Sequence, residues 1–223
     1  RLLTWDRHGI TWESDPRHVD LILADLGVTS CKVTTPLVKE KAQEAEVDDV
    51  YLEGDDVQRF QSLAMRLNYI AQDRTDLQRA VRELAKGMAK PTQRHWEMLK
   101  RVARYLKYAP RAVQRFAYQD RIDKLETYVD SDHAGCVRTR KSTSGAVLML
   151  GKSQLRSLCR GQAVIALSSG EAEYYGLVTG MSEAIGEQSV ARDWGVKIPI
   201  VVYMDATAGA AIGSRRGLGK VKH

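Results

Sequence analysis

Three acidic residues far apart in this chain share a setting that could do chemistry. Asp130 follows the strand-like run Glu126-Thr127-Tyr128-Val129. Glu173 lies in the first turns of a long helical stretch, and Asp205 follows the apolar run Ile198-Pro199-Ile200-Val201-Val202-Tyr203-Met204. Acids at strand ends and at a helix start can converge on one edge of a sheet. Crowded carboxylates repel one another, and a cation is what makes the crowding tolerable. Hard oxygen ligands select Mg²⁺ or Mn²⁺ over softer metals. Two such ions on shared carboxylates can cut a phosphodiester, one activating the attacking water and the other stabilising the leaving oxygen. Taken singly, each acid reads more simply as a solvated loop residue, and periodicity alone leaves both readings open. Asp132 shares the strand face of Asp130 if the strand continues, and is a weaker alternative ligand.

The elements that must position these acids follow from the apolar pattern. Phe116 to Val129 is rich in β-prone residues, Gly145 to Leu150 reads as a second strand, and Leu155 to Leu167 suggests a third. Ser168 and Glu171 have capping-box spacing at the start of a helix expected to reach Trp194. The strand ending at Met204 and a short helix over Ala206 to Ile212 complete a mixed α/β unit. The first half reads differently. Residues 1–12 alternate as a hairpin about His8-Gly9, and Asp15-Pro16 starts a helix that Gly27 ends. An acidic linker over 40–56 precedes one helical stretch from Val57 to Ala89 and a second after Pro91, with Thr92 near its start. Arg94, Lys100, Arg101, Arg104 and Lys107 lie opposite the apolar face of that second helix. They read first as a solvated face and second as a surface for nucleic acid. The expected division is 1–113 and 114–223.

Composition bounds the partners. A net charge of +6 and a pI near 9.2 fit a polyanion such as nucleic acid without requiring one. With aromatic residues at 7%, broad stacking platforms are disfavoured. Cys31, Cys136 and Cys159 form no Cys-x-x-Cys pair, so neither a zinc knuckle nor a disulfide framework is supported, and reduced intracellular thiols are expected. No apolar run approaches membrane-spanning length, so no membrane partner is expected. Arg1 and His223 both look like cut ends, which points to a fragment. Val47-Asp48-Asp49-Val50 imitates a polymerase Tyr-x-Asp-Asp signature, but it sits in a polar acidic stretch and reads as linker.

The order of three segments is more specific than any spacing: Tyr128-Val129-Asp130-Ser131-Asp132-His133-Ala134-Gly135, then Arg140-Lys141-Ser142-Thr143-Ser144-Gly145, then Ala166-Leu167-Ser168-Ser169-Gly170-Glu171-Ala172-Glu173-Tyr174. Together they closely resemble the ribonuclease H domain of copia-type retrotransposon Pol polyproteins. In the first half, Ala64-Met65-Arg66-Leu67-Asn68-Tyr69-Ile70-Ala71, Asp73-Arg74-Thr75-Asp76 and Leu99-Lys100-Arg101 resemble the helical region between that family's polymerase palm and its ribonuclease H. The chain departs from the family at His133, where Trp is common. It departs again at Leu155-Arg156-Ser157, where Trp-x-Ser is common, and after Asp205, where Asn-Gln-Ser is common.

The resemblance implies an α/β fold: a ribonuclease H-like mixed sheet with flanking helices, preceded by a mainly helical thumb or connection segment of a reverse transcriptase. It implies endonucleolytic hydrolysis of the RNA strand of an RNA–DNA hybrid, within an RNA-directed DNA polymerase polyprotein. Asp130, Glu173 and Asp205 would be the catalytic carboxylates and the ligands of two Mg²⁺ ions, with Mn²⁺ as a substitute. Glu171 reads instead as a helix N-terminal residue, where the dipole favours negative charge. Arg138, Arg140, Lys141, Ser142 and Ser144 link the first two strands. The resemblance sets phosphate binding for them ahead of an ordinary solvated turn. The implied partners are an RNA–DNA hybrid and the upstream polymerase palm of the same polyprotein, in an intracellular setting, a cytoplasmic particle or the nucleus. A fourth acid is implied after Lys222-His223, so the fragment as cut is expected to be weak or inactive. The alternative is a catalytically dead, transposon-derived remnant that binds nucleic acid.

Overall fold

The computed structural model describes residues 1–30, 32–38, 50–120 and 122–205. The chain forms two compact units, Arg1–Arg115 and Phe116–His223. The expected helix over Ala206 to Ile212, the basic run from Arg215 and the acids of residues 39–49 lie outside the described residues. Among the described residues, no helix is long and apolar enough to cross a membrane.

The first unit opens with a hairpin, β1 (Leu2–Asp6) and β2 (Gly9–Glu13), paired antiparallel with Asp6 opposite Gly9. Asp6 Oδ1 accepts from the backbone N–H of His8 and of Gly9, the local bonding that favours Asp in tight turns. Among the described residues, four helices follow, α1 (Arg17–Asp25), α2 (Asp55–Ala71), α3 (Gln78–Ala85) and α4 (Gln93–Tyr108), and then strand β3 (Val113–Ala117). Phe60, Leu67 and Ile70 of α2, Leu84 of α3, and Leu99, Val102 and Leu106 of α4 share one buried core. Their three- and four-residue spacing is the helical periodicity seen in the sequence. Thr92 and His95 cap α4 reciprocally, each side chain serving the other's backbone.

Two expectations need correction here. Asp55 and Asp56 belong to the first turn of α2 and not to a linker, a position where the helix dipole favours acids. The single helix expected from Val57 to Ala89 is broken after Ala71, with a short 3₁₀ turn at Thr75–Leu77. The break is held by Arg74, whose side chain is 1% exposed. Its guanidinium donates to Asp76 at 2.7 and 2.9 Å, to Ala109 O at 3.0 Å and to Pro110 O at 3.2 Å. Those long-range partners override local helix propensity, which is worth only tenths of a kcal/mol per residue, roughly. The basic face of α4 is partly engaged within its own unit: Lys100 pairs with Glu97, and Arg101 donates to Thr35.

The second unit is a mixed α/β layer. Strands β4 (Leu125–Asp132), β5 (Thr143–Leu150), β6 (Ser153–Gly161) and β7 (Ile200–Met204) form one sheet in the order β6-β5-β4-β7. The first three pair antiparallel, and β7 joins β4 in parallel. Helix α5 (Ser169–Asp193) packs on this sheet against β4, β5 and β7. The third strand ends at Gly161 and does not reach Leu167. Buried Gln162 turns the chain there, donating from Nε2 to Ser144 Oγ at 3.0 Å and to Ala172 O at 2.8 Å.

The face that α5 lays on the sheet is made of small residues four apart: Ala172, Gly176, Gly180 and Ala184, all buried. Without side-chain bulk the helix axis comes close to β4. A methyl group on Gly180 would overlap Val129 Cγ1, whereas one on Gly176 would rest 3.5 Å from Asp130 O in ordinary contact. Helix propensity favours Ala over Gly by about 0.5–1 kcal/mol, and overpacking costs about 1–3 kcal/mol. Gly176→Ala should therefore leave the unfolding midpoint in denaturant unchanged or raise it. Gly180→Ala should lower it by about 1–2 kcal/mol in stability, and equal midpoints for the two variants would contradict the packing described.

Candidate metal centre

The parallel pair β4–β7 sets the site. Its last paired register is Val129↔Met204. The next residue on each strand is an acid, so Asp205 follows the end of β7 beside Asp130, which β4 still pairs with Gly145 of β5. In open α/β sheets, the carboxyl edge of the strands is where ligands bind. Both are exposed, while Val129 between Tyr128 and Asp130 is buried, the alternation of a half-covered strand. Glu173 comes from the second turn of α5. Ser168 caps that helix, its hydroxyl accepting from Glu171 N at 3.1 Å. With the small-residue face pressing α5 onto β4, Glu173 reaches the same edge. One carboxylate oxygen from each of Asp130, Glu173 and Asp205 lies within 4.8 Å of the other two.

Glu173 is the unusual member. It is only 5% exposed. Its Oε1 accepts a hydrogen bond from Ser131 Oγ at 3.0 Å, while Oε2 is buried with no partner. Burial, opposed by the Ser131 hydrogen bond and reinforced by the charges of Asp130 and Asp205, raises its pKa above the ordinary glutamate value. Among the described residues, none of the three acids has an ion-pair partner. A buried, unpartnered carboxylate oxygen beside two further carboxylates is a poor arrangement for bare protein and a good one for a hard divalent cation. The donor set is all oxygen, so it fits Mg²⁺ or Mn²⁺ and not a thiolate- or imidazole-seeking metal.

The neighbouring acids have other duties. Glu171 Oε2 accepts from Leu167 N at 2.8 Å, and its Oε1 accepts from Tyr175 Oη at 3.2 Å, so it secures the helix start. The Asp132 carboxylate lies against Gly135 in the turn after β4 and is outside the three-acid cluster. His133, a metal ligand in neither sequence nor structure, sits 3.3 Å from Ala166 O by its Nε2.

The β4–β5 loop begins at His133, three residues beyond Asp130. Asp132 pairs with Thr143 at its base. Arg138, Arg140 and Lys141 are all exposed on it. Ser142 and Ser144 are buried, which the sequence did not reveal. Ser142 Oγ accepts from Ala134 N at 3.0 Å and Ser144 Oγ accepts from Gln162, so both hydroxyls serve the fold of the loop and the helix start. Ala134 and Arg140 have φ of 51° and 56°, and backbone bonds from Arg140 N to Cys136 O and from Cys136 N to Lys141 O hold the loop shape. Sequence reasoning missed Ser131 as a partner of Glu173. The signal was the strand alternation, which puts residues 127, 129 and 131 on the face toward α5.

Among known proteins, the chain is similar to the uncharacterized mitochondrial protein AtMg00810 of Arabidopsis thaliana: 30% identical over 172 residues, 76% of this chain and 69% of that protein. It is 33% identical over 152 residues to the retrovirus-related Pol polyprotein from transposon RE2 of the same plant, covering 67% of this chain but 10% of the polyprotein. The secreted RxLR effector protein 161 of Plasmopara viticola is 38% identical over 112 residues, half of this chain and 78% of the effector. The first two matches are each longer than either unit and so draw on both. No protein-family model matches, and no solved structure matches significantly.

The raised pKa of Glu173 has a sign that can be measured. A carboxyl group that holds its proton more tightly folded than unfolded costs stability as pH rises from the unfolded value, here 4.5, through the folded one. The acids whose pKa values are lowered by Arg partners, such as Glu13 and Asp15, act in the opposite direction and at lower pH. In metal-free buffer, the stability of Glu173→Gln relative to the unsubstituted chain should therefore grow as pH rises above 4.5 and then level off. A difference flat across that range would contradict the burial and crowding of Glu173.

Proposed function

This chain belongs to the copia-type retrotransposon Pol family, and on that premise we propose that its second unit is a ribonuclease H-like domain that hydrolyses the RNA strand of RNA–DNA hybrids. The observation that carries the proposal is the meeting of Asp130, Glu173 and Asp205 within 4.8 Å, with one Glu173 oxygen buried and unpartnered. These three side chains would hold two Mg²⁺ ions, or Mn²⁺ in their place. When bound, such ions supply an activated water and charge compensation at the leaving oxygen.

The chain's own residues supply the rest. Asp130 and Asp205, exposed at the carboxyl edge of β4 and β7, face solvent where a phosphodiester can approach. Glu173, anchored by Ser131, sets the buried side of the site. Arg138, Arg140 and Lys141 lie on the loop that follows β4 and would grip the phosphate backbone, which carries no sequence information. Ser142 fixes that loop from within, and Ser144 holds the turn that leads into α5. Recognition would then rest on hybrid shape and the 2′-OH, not on bases. The first unit, with the basic residues of α4, would support the hybrid between this site and the polymerase palm of the same polyprotein.

The test is cleavage of a labelled RNA–DNA hybrid with Mg²⁺ by this chain expressed together with its flanking coding sequence. Asp130→Asn and Glu173→Gln should each lower the cleavage rate by on the order of a hundredfold or more, as loss of charge stabilisation at a reacting phosphate does, and leave hybrid binding intact. Undiminished cleavage in both variants would refute the mechanism. Binding without cleavage in the unsubstituted chain would identify a nucleic-acid-binding remnant.

A further inference from the structure

We propose that Ser131 is a positioning residue that fixes the Glu173 carboxylate for a divalent cation; the proposal rests on the metal reading above. Ser131 lies on β4 directly after Asp130, on the face toward α5. Its Cβ would be 3.7 Å from a methyl placed on Gly176, ordinary contact distance, so the serine and the helix lie against each other there. The Ser131 hydroxyl has one proton and gives it to Glu173 Oε1 at 3.0 Å. The terminal torsion of a glutamate is broad and nearly two-fold, so nothing intrinsic to the side chain decides which oxygen faces the site. The hydroxyl decides it, with a smaller contribution from the Ser131 backbone N–H that any substitution at 131 keeps. Oε1 is tied to the strand, and Oε2 is left buried without a partner, as the atom available to a cation.

The backbone around this contact is held from the other side as well. Ser144 is the register partner of Ser131 on β5. Its hydroxyl accepts from Gln162 Nε2, which also donates to Ala172 O, one residue before Glu173. One serine therefore holds the first turn of α5 through Gln162, while the other holds the Glu173 side chain itself. Only the second acts on the orientation of the carboxylate. Ser131 reaches the metal site through Glu173 and has no assigned contact with substrate.

The experiment is Mn²⁺ titration of the full chain, followed by the loss of free-ion signal in electron paramagnetic resonance, with melting in EDTA as a parallel measurement. Thr and Val have the same shape but differ in the hydroxyl. Ser131→Thr should bind Mn²⁺ like the unsubstituted chain, and Ser131→Val and Ser131→Ala should bind about tenfold or more weakly, the usual cost of losing a hydrogen bond to a metal ligand. In EDTA the Val variant should melt slightly below the Thr variant, since Glu173 Oε1 loses its donor, and the difference should be smaller than the loss in Mn²⁺ binding. Equal Mn²⁺ affinity of the Thr and Val variants would overturn the proposal, and so would a Val deficit matched by an equal loss of stability in EDTA. Two failures separate cleanly. If Glu173→Gln abolishes binding while Ser131→Val retains it, Ser131 is dispensable and the metal site stands. If the unsubstituted chain takes up no Mn²⁺, the metal reading and the proposal both fall.

Discussion

Mutual repulsion among three carboxylates is the constraint around which the second unit is built. At 4.8 Å, unscreened charges of like sign oppose folding, and a buried member such as Glu173 makes the opposition stronger because the surrounding dielectric is low. The backbone nevertheless brings them together by two devices. Parallel pairing of β4 with β7 ends at Val129↔Met204 and delivers Asp130 and Asp205 in step. The small-residue face of α5 lets the helix settle on β4 closely enough for Glu173 to join them. Both devices also pack the core of this unit, and together they bring three acids into a space of a few ångströms, which is a reason to read the site as built for a compensating cation.

The surrounding interactions are consistent with that division of labour. Glu171 and Ser168 tie down the helix start, Gln162 and Ser144 hold the turn that leads into it, and Ser142 holds the loop beyond Asp130. Glu171, Ser168, Ser142, Ser144 and the Gln162 amide nitrogen all find partners within the protein. Glu173 Oε2 is buried without one.

Much of this was legible in the residues, because both periodicities are strong where burial is one-sided. The turn after Asp6, the capping residues Thr92 and Ser168, and the parallel-type apolar run ending at Met204 all carry local chemistry that acts within a few positions. What escaped depends on partners far along the chain. The break after Ala71 is held by Arg74 reaching to Ala109 and Pro110, and no window of local sequence contains both ends. The early end of β6 depends on Gln162 bridging Ser144 and Ala172. The inward turn of Ser142 and Ser144 was hidden for a related reason: a serine in a basic run looks solvated until the register of its strand is known. The three acids stood out as a set only through the wording of the segments around them, since spacing alone cannot bring positions 130, 173 and 205 together.

The most direct test of the central claim is anomalous diffraction from crystals of this chain soaked in Mn²⁺. The account requires anomalous density between the carboxylates of Asp130, Glu173 and Asp205, with Glu173 contributing the oxygen not bound to Ser131. Well-ordered carboxylates at that edge with no anomalous density at saturating Mn²⁺ would contradict it.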